Sequence, residues 1–125
     1  MKNIRKRQME ALEELCIYDK KLLRILPTIS RELSEDLQGD TLDLLHQFAD
    51  GLNWVIEVTN ACMELIQENK SKINSKQISN SVEAFECALN KEDLEEIASV
   101  MQNGIQFFLE DILDAASQIV RIERK

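Results

Sequence analysis

The sequence predicts an all-α protein, and three observations support this prediction. Apolar residues recur every three or four positions through most of the chain, which is the spacing of one face of a helix. Glycine and proline are scarce, with three and one residues, while straight side chains that favour helices are abundant. No segment has the pattern of a strand. Long helices joined by short connections favour an antiparallel up-and-down four-helix bundle.

The first helix is predicted to begin near Asn3 and to end, kink or break at Pro27, because proline removes a backbone donor and clashes with the preceding turn. After it, Gly39 is expected to cap the helix in a left-handed conformation, and Asp40 is expected to be the N-cap of the next helix. The apolar face of the first helix is Ile4, Ala11, Leu15, Tyr18, Leu22 and Ile25.

Three further helices are predicted. The second runs without interruption from about Thr41 to Glu68, and a polar loop with a frayed helix start follows it. The third covers roughly residues 77–89. The last helix has Asn90 as its expected N-cap, acidic residues in its first turn and an apolar face that extends to Ile122.

Two segments of the chain are similar to each other. "DGLNWVIE" at 50–57 matches "NGIQFFLE" at 103–110 position by position, and the same offset aligns Asp40 with Asp93. A glycine inside a helix costs about 1 kcal/mol relative to alanine, so the paired Gly51 and Gly104 are unusual. We interpret residues 1–125 as one domain made of a duplicated helical hairpin, about 3–69 and about 75–123, with the glycines where the hairpin backbones come closest.

The distribution of charge restricts the partners. The chain has a formal net charge of −8, and a body this acidic repels nucleic acid. The sequence contains no apolar run long enough to span a membrane and no secretory signal. Three widely spaced cysteines, without metal-binding spacing, favour a reducing cytoplasm. We therefore expect a cytoplasmic protein that contacts neither nucleic acid nor membranes.

The second helix is apolar over more than half of its circumference. This pattern is typical of a helix wedged between two neighbours of its own bundle, or of a helix with an exposed face that binds a partner. For the second possibility the candidate partner-binding residues are Gly51, Trp54, Val58, Leu65 and, in the last helix, Phe107. The partner would be another protein or a second copy of the chain, as in a homodimer.

The polar face of the same helix places Asp43, His46 and Asp50 on one side. A carboxylate three residues before a histidine is half of a di-iron bundle motif, but the chain has a single histidine. A small-ligand or metal site at these residues is the alternative hypothesis. We predict no catalytic residues and no cofactor, because no nucleophile lies in a recognisable pattern with a base and no glycine-rich phosphate loop occurs.

The segments 37–59 and 88–101 resemble a family of short, uncharacterised bacterial all-helical proteins. The matching residues are "LQGDTLDLLHQFADGLNWVIEVT" and "ALNKEDLEEIASVM", and the likeness weakens after Val100. The resemblance implies a cytoplasmic helical bundle without an assigned activity. We therefore expect a non-enzymatic interaction protein, an adaptor or chaperone-like bundle that binds itself or a partner helix. An enzyme of unknown type ranks third, after the ligand-binding alternative.

Overall fold

A computed structural model of the protein describes residues 2–68 and 73–123, and within these residues the chain is helical without strands. The all-α prediction is therefore confirmed. The helices are α1 (Lys2–Ser34), α2 (Thr41–Ala61), α3 (Met63–Glu68), α4 (Ser75–Lys91), α5 (Leu94–Val100) and α6 (Gln106–Glu123), and a π-helical turn, Met101–Ile105, connects α5 to α6. The start of the predicted polar loop, residues 69–72, lies outside the described residues.

Helix α1 is the element around which the others pack. It contacts α2 on one side and α5, the π-helical turn and α6 on the other, while α4 packs against α5 and the turn. Arg5 at the start of α1 forms an ion pair of 3.1 Å with Glu68 at the end of α3. Near the end of α1, Thr41 donates a hydrogen bond of 2.6 Å to Glu32. These two contacts show that α1 and the α2–α3 segment run in opposite directions.

The core lies along one seam of α1. The seam residues follow the alternating three- and four-residue spacing of a helix that packs on its neighbours, and all are buried: Leu12, Leu15, Asp19, Leu22, Leu26, Ile29 and Leu33. Across the core, Phe48 of α2 meets Phe85 of α4 edge to face, with 6.3 Å between the ring centroids. Six of the seven seam residues are apolar, and Asp19 is the exception.

Pro27 does not break the first helix. Helix α1 continues through it to Ser34, so of the alternatives that the sequence left open, an end or break at Pro27 is wrong and a continuous helix is correct. The proline ring is exposed, while Leu26 and Ile29 on either side of it are fully buried. Burial of the seam on both sides stabilises the helical conformation against the loss of one backbone hydrogen bond.

The turns differ from the predictions in two places. No glycine of the chain has a positive φ, so the left-handed cap at Gly39 is wrong. Instead, the Thr41 hydroxyl accepts a hydrogen bond of 2.9 Å from the Gln38 N–H and closes the turn. The N-cap of α5 is Asp93 and not Asn90, because the Asp93 carboxylate accepts from the Glu96 N–H at 3.2 Å while Asn90 lies in the last turn of α4.

The two long helices that were predicted as continuous each contain an irregularity. Between α2 and α3, the Cys62 N–H is shared between the carbonyl groups of Val58 and Thr59. The Thr59 hydroxyl donates back to the Val55 carbonyl at 2.7 Å, a contact that often bends helices. In the last helix the π-helical turn Met101–Ile105 contains Gly104.

Candidate interaction surface

Tyr18 and Trp54 form an aromatic pair on the surface between α1 and α2. Their ring centroids are 5.4 Å apart and the rings are tilted by 55°. Tyr18 is 36% exposed and Trp54 is partly buried. Gly51, one turn before Trp54, makes this pair possible, because a Cβ atom built on it would lie 2.5 Å from Cε1 and 2.6 Å from the hydroxyl oxygen of Tyr18. A side chain at position 51 would therefore push the tyrosine ring away.

A groove lies beside this pair, and we call it the basic groove. It has a volume of about 490 Å³, and its lining residues are Tyr18, Lys21, Leu22, Arg24 and Ile25 of α1 and Gln47 of α2. Leu22 is buried and Ile25 partly buried, whereas Lys21 and Arg24 are exposed. Neither Lys21 nor Arg24 has an ion-pair partner within the described part of the chain. An apolar floor therefore lies beside two cations on the surface of an acidic protein.

A buried carboxyl group lies on the opposite side of α1. Asp19 is 0% exposed, and within the described residues neither of its carboxyl oxygens has a hydrogen-bond partner. Burial, with a smaller contribution from the negative charge of Glu110 on α6, raises the pKa of Asp19 to about 8. A carboxyl group in this environment holds its proton at neutral pH, because the protonated form avoids placing a charge in the core.

Burial makes two thiols less acidic than a free cysteine: that of Cys16 in α1 and that of Cys62, which contacts α1. The Cys16 thiol lies 3.7 Å from the Ser117 hydroxyl across the contact between α1 and α6. Burial raises the pKa of the Cys16 thiol and that of the Cys62 thiol. Because the thiolate is the reactive form, both groups are poorly suited to nucleophilic chemistry at neutral pH.

A family of known proteins matches nearly the whole chain. The family model of a domain of unknown function, DUF8042, matches residues 10–121. The chain belongs to the DUF8042 family. This match confirms the resemblance to an uncharacterised all-helical family that the sequence indicated. No curated protein and no solved structure matches the chain.

The sequence-predicted partner-binding residues of this DUF8042 protein lie in different environments. Gly51 and Leu65 are buried, while Trp54 and Val58 are partly buried along α2. Phe107 is 52% exposed on α6 and takes part in neither of the two ring contacts among the described residues. The structure therefore joins Gly51 and Trp54 through Tyr18, and it places Phe107 on a separate helix of the DUF8042 domain.

The residues of the alternative hypothesis are exposed on α2. Asp43, His46 and Asp50 all face solvent. Among residues 2–68 and 73–123 no three His, Cys, Asp or Glu side chains come together as possible metal ligands, so this trio does not form such a group. No further observation on the DUF8042 chain favours a ligand at these positions.

Sequence reasoning missed four residues of this DUF8042 domain that the structure singles out: Tyr18, Asp19, Lys21 and Arg24. Tyr18 was assigned to the apolar seam of the first helix, whereas its ring lies on the surface against Gly51. The spacing Leu15, Asp19, Leu22 was available in the sequence and places a carboxyl group on the seam. The cations could not be assigned to a groove, because a groove requires a neighbouring helix whose position the sequence leaves open.

Proposed function

We propose that this protein is a non-enzymatic interaction protein and that its basic groove binds an acidic amphipathic helix of a protein partner. The observation that carries the proposal is the composition of the groove, with Leu22 and Ile25 at its floor, Lys21 and Arg24 at its rim and the Tyr18–Trp54 pair at its edge. Tryptophan, tyrosine and arginine are the residues that contribute most often to binding energy in protein interfaces.

The charge of the groove selects the chemistry of the partner. The chain has 15 Lys and Arg against 23 Asp and Glu, and at this groove two exposed cations without ion-pair partners among the described residues flank an apolar floor. A partner helix that places acidic side chains on the rim and leucine-like side chains on the floor would complement both features. A second copy of the chain is the other possible occupant, and the experiment below distinguishes the two.

The chemistry of two thiols is compatible with the non-enzymatic part of the proposal. The thiols of Cys16 and Cys62 have raised pKa values because of burial, which disfavours a thiolate nucleophile. The three cysteines are free thiols, which is compatible with the reducing cytoplasm that we propose as the location.

We further propose that the chain is an up-and-down four-helix bundle made of a duplicated hairpin. At an offset of 53 residues, seven core positions are buried in both segments. The pairs are Leu45 with Ala98, Phe48 with Met101, Leu52 with Ile105, Val55 with Phe108, Thr59 with Ile112, Cys62 with Ala115 and Ile66 with Ile119. Each mid-helix glycine contacts the preceding long helix, Gly51 facing Tyr18 and Gly104 facing Ser81. This differs from the expected contact of the two glycines between the hairpins.

The test uses two labelled synthetic peptides of the same amphipathic design, with leucine on one face and either glutamate or lysine on the other. Fluorescence anisotropy at low salt measures binding to the wild-type protein. We expect the acidic peptide to bind at least about tenfold more tightly than the basic one, a difference of about 1.4 kcal/mol. Lys21→Glu combined with Arg24→Glu should abolish this preference, and salt should weaken it.

The matched control is Lys76→Glu combined with Arg121→Glu, which changes the net charge equally at exposed positions of α4 and α6. This control should leave most of the preference intact. Equal affinity for the two peptides, or equal loss in both double variants, would exclude the groove as the binding site. Light scattering after size exclusion gives the oligomeric state. If the wild type is a dimer and Lys21→Glu with Arg24→Glu dissociates it, the occupant of the groove is a second copy of the chain and not a partner helix.

A further inference from the structure

Asp19 occupies a core position that an apolar residue would ordinarily fill. It lies between Leu15 and Leu22 on the seam of α1 that packs into the core, and both of its carboxyl oxygens lack a partner among the described residues. A buried polar group without a hydrogen bond costs stability, and a buried unpaired charge costs far more. The energetic cost of this position therefore depends strongly on whether the carboxyl group carries a proton.

The groups around Asp19 offer no compensating positive charge. On α6 the ionisable residue that acts on it is Glu110. On α2, at the level of Gly51, the neighbouring acids Asp50 and Glu57 are exposed. The π-helical turn contacts α1 nearer the C-terminal end of that helix, where Gln102 donates a hydrogen bond of 3.0 Å to Ser30.

The remaining groups near Asp19 lie on α1 itself. The Cys16 thiol, one turn before Asp19, faces Ser117. Lys20, the next residue along α1, is exposed. Helix α5 lies beyond the contact of Gln102 with Ser30, toward the end of α1, so its first-turn acids Glu95 and Glu96 are remote from Asp19. Ionised Asp19 would therefore face a low dielectric interior and further negative charge.

We propose that Asp19 is a proton-dependent lock on the packing of α1 against α6. While the carboxyl group is protonated, the seam closes around it as around an apolar side chain. When the proton leaves, the charge is stabilised only by water, which favours conformations in which α1 separates from α6 and the carboxylate is hydrated. The device lies within the fold and is independent of whether the basic groove binds a partner.

The sign of the pH dependence follows from linkage. Burial raises the pKa of Asp19 to about 8 in the folded chain, while an aspartate in an unfolded chain titrates near 3.9. Between these values the folded state binds more protons than the unfolded state. Stability from this group is therefore fully present below about pH 4, falls as the pH rises and levels off above about pH 8.

The experiment compares urea unfolding of wild type and of Asp19→Asn, which imitates the protonated carboxyl group, from pH 4 to pH 9. We expect the ratio of the wild-type to the variant unfolding constant to rise with pH, by up to about tenfold per unit. Amide exchange should show that protection of α1 and α6, relative to that of α4, falls with pH in wild type and less in the variant. Asp111→Asn, an exposed position on α6, is the control and should retain the wild-type dependence.

Carbon-13 NMR of the side-chain carboxyl groups of the wild-type chain gives a second readout that does not depend on a variant. Titration of the Asp19 carboxyl carbon well above pH 6 is expected. A midpoint near pH 4 would overturn the proposal, as would parallel pH profiles of wild type and Asp19→Asn. If Asp19→Asn does not fold, the carboxyl titration together with the pH dependence of wild-type amide exchange decides the question.

Discussion

The segment from Asp40 to Glu68 and the segment from Asp93 to Arg121 bury corresponding positions but differ in what lies against their glycines. Gly51 is buried beneath the ring of Tyr18, whereas Gly104 is partly buried beside the hydroxyl of Ser81. The first segment changes helix at Cys62, and the second contains a π-helical turn at 101–105. The same pattern of apolar residues is therefore compatible with two different local solutions, because the pattern fixes which face is buried and the neighbouring helix fixes the details.

The largest effects are expected where the two segments are alike. Leu52 and Ile105 are paired positions, and both are almost completely buried. Leu52→Ala and Ile105→Ala should each lower the free energy of unfolding by about 2–5 kcal/mol, through lost apolar burial and the cavity that remains. Urea denaturation followed by circular dichroism measures both. A loss below about 1 kcal/mol in only one of the two variants would show that the segments do not share one core.

The helices could be predicted from the sequence because burial imposes a period of 3.6 residues on the apolar positions. The residues at which the helices begin and end were less predictable. Asp40 and Asp93 are both N-cap residues, yet Asn90 offered an equally good local capping signal and lies within α4. At Pro27 the local signal left open whether α1 breaks or continues, and burial of the seam on both sides of the proline favours the continuous helix.

The candidate site could be predicted only in part. The glycine and the tryptophan of "DGLNWVIE" marked an unusual position inside a helix. Both Gly51 and Trp54 contact Tyr18, which lines the basic groove. The residue that covers the glycine comes from α1, and the lateral alignment of two helices is set by packing of the whole core. Asp19 was missed for a different reason, since the neighbouring Tyr18 is apolar and was preferred for the seam position.

A smaller difference is expected between the paired aromatic residues Trp54 and Phe107. Trp54 is partly buried and contacts Tyr18, whereas Phe107 is exposed on α6. Trp54→Ala should cost about 1–2 kcal/mol through lost ring contact and apolar burial. Phe107→Ala should change stability by less than about 0.5 kcal/mol, as at other surface positions. Thermal and urea unfolding measure the stability of both variants. An equal loss of stability in Trp54→Ala and Phe107→Ala would mean that Phe107 is buried in solution.

The two glycines should respond differently to alanine. In Gly51→Ala the new Cβ atom would displace the Tyr18 ring, and we expect a net loss of about 1 kcal/mol after the gain in helix propensity. In Gly104→Ala the Cβ would lie 2.9 Å from the Ser81 hydroxyl oxygen, which can rotate away, so the propensity gain should leave stability unchanged or up to about 0.5 kcal/mol higher.

Displacement of the Tyr18 ring can be measured separately from stability, and this measurement is the control for the comparison of the two glycines. Trp54 is the only tryptophan, so its fluorescence reports directly on the contact with Tyr18 and should change in Gly51→Ala but not in Gly104→Ala. In a Tyr18→Ala background the clash is absent, and Gly51→Ala should then be neutral or stabilising. A loss that persists in this background would mean that the close approach involves more of α1 than the tyrosine ring.

The smallest difference is expected at the two N-caps. The Asp93 carboxylate accepts a hydrogen bond from the Glu96 N–H, whereas Asp40 occupies the same position without a side-chain bond. Asp93→Ala should therefore cost about 0.5–1 kcal/mol, and Asp40→Ala about 0.3 kcal/mol through the helix dipole alone. Asp93→Asn keeps the acceptor and removes the charge, so it should recover most of the loss. Equal costs for the two alanine variants in urea unfolding would show that Asp40 forms the same cap in solution, and the two segments would then begin alike.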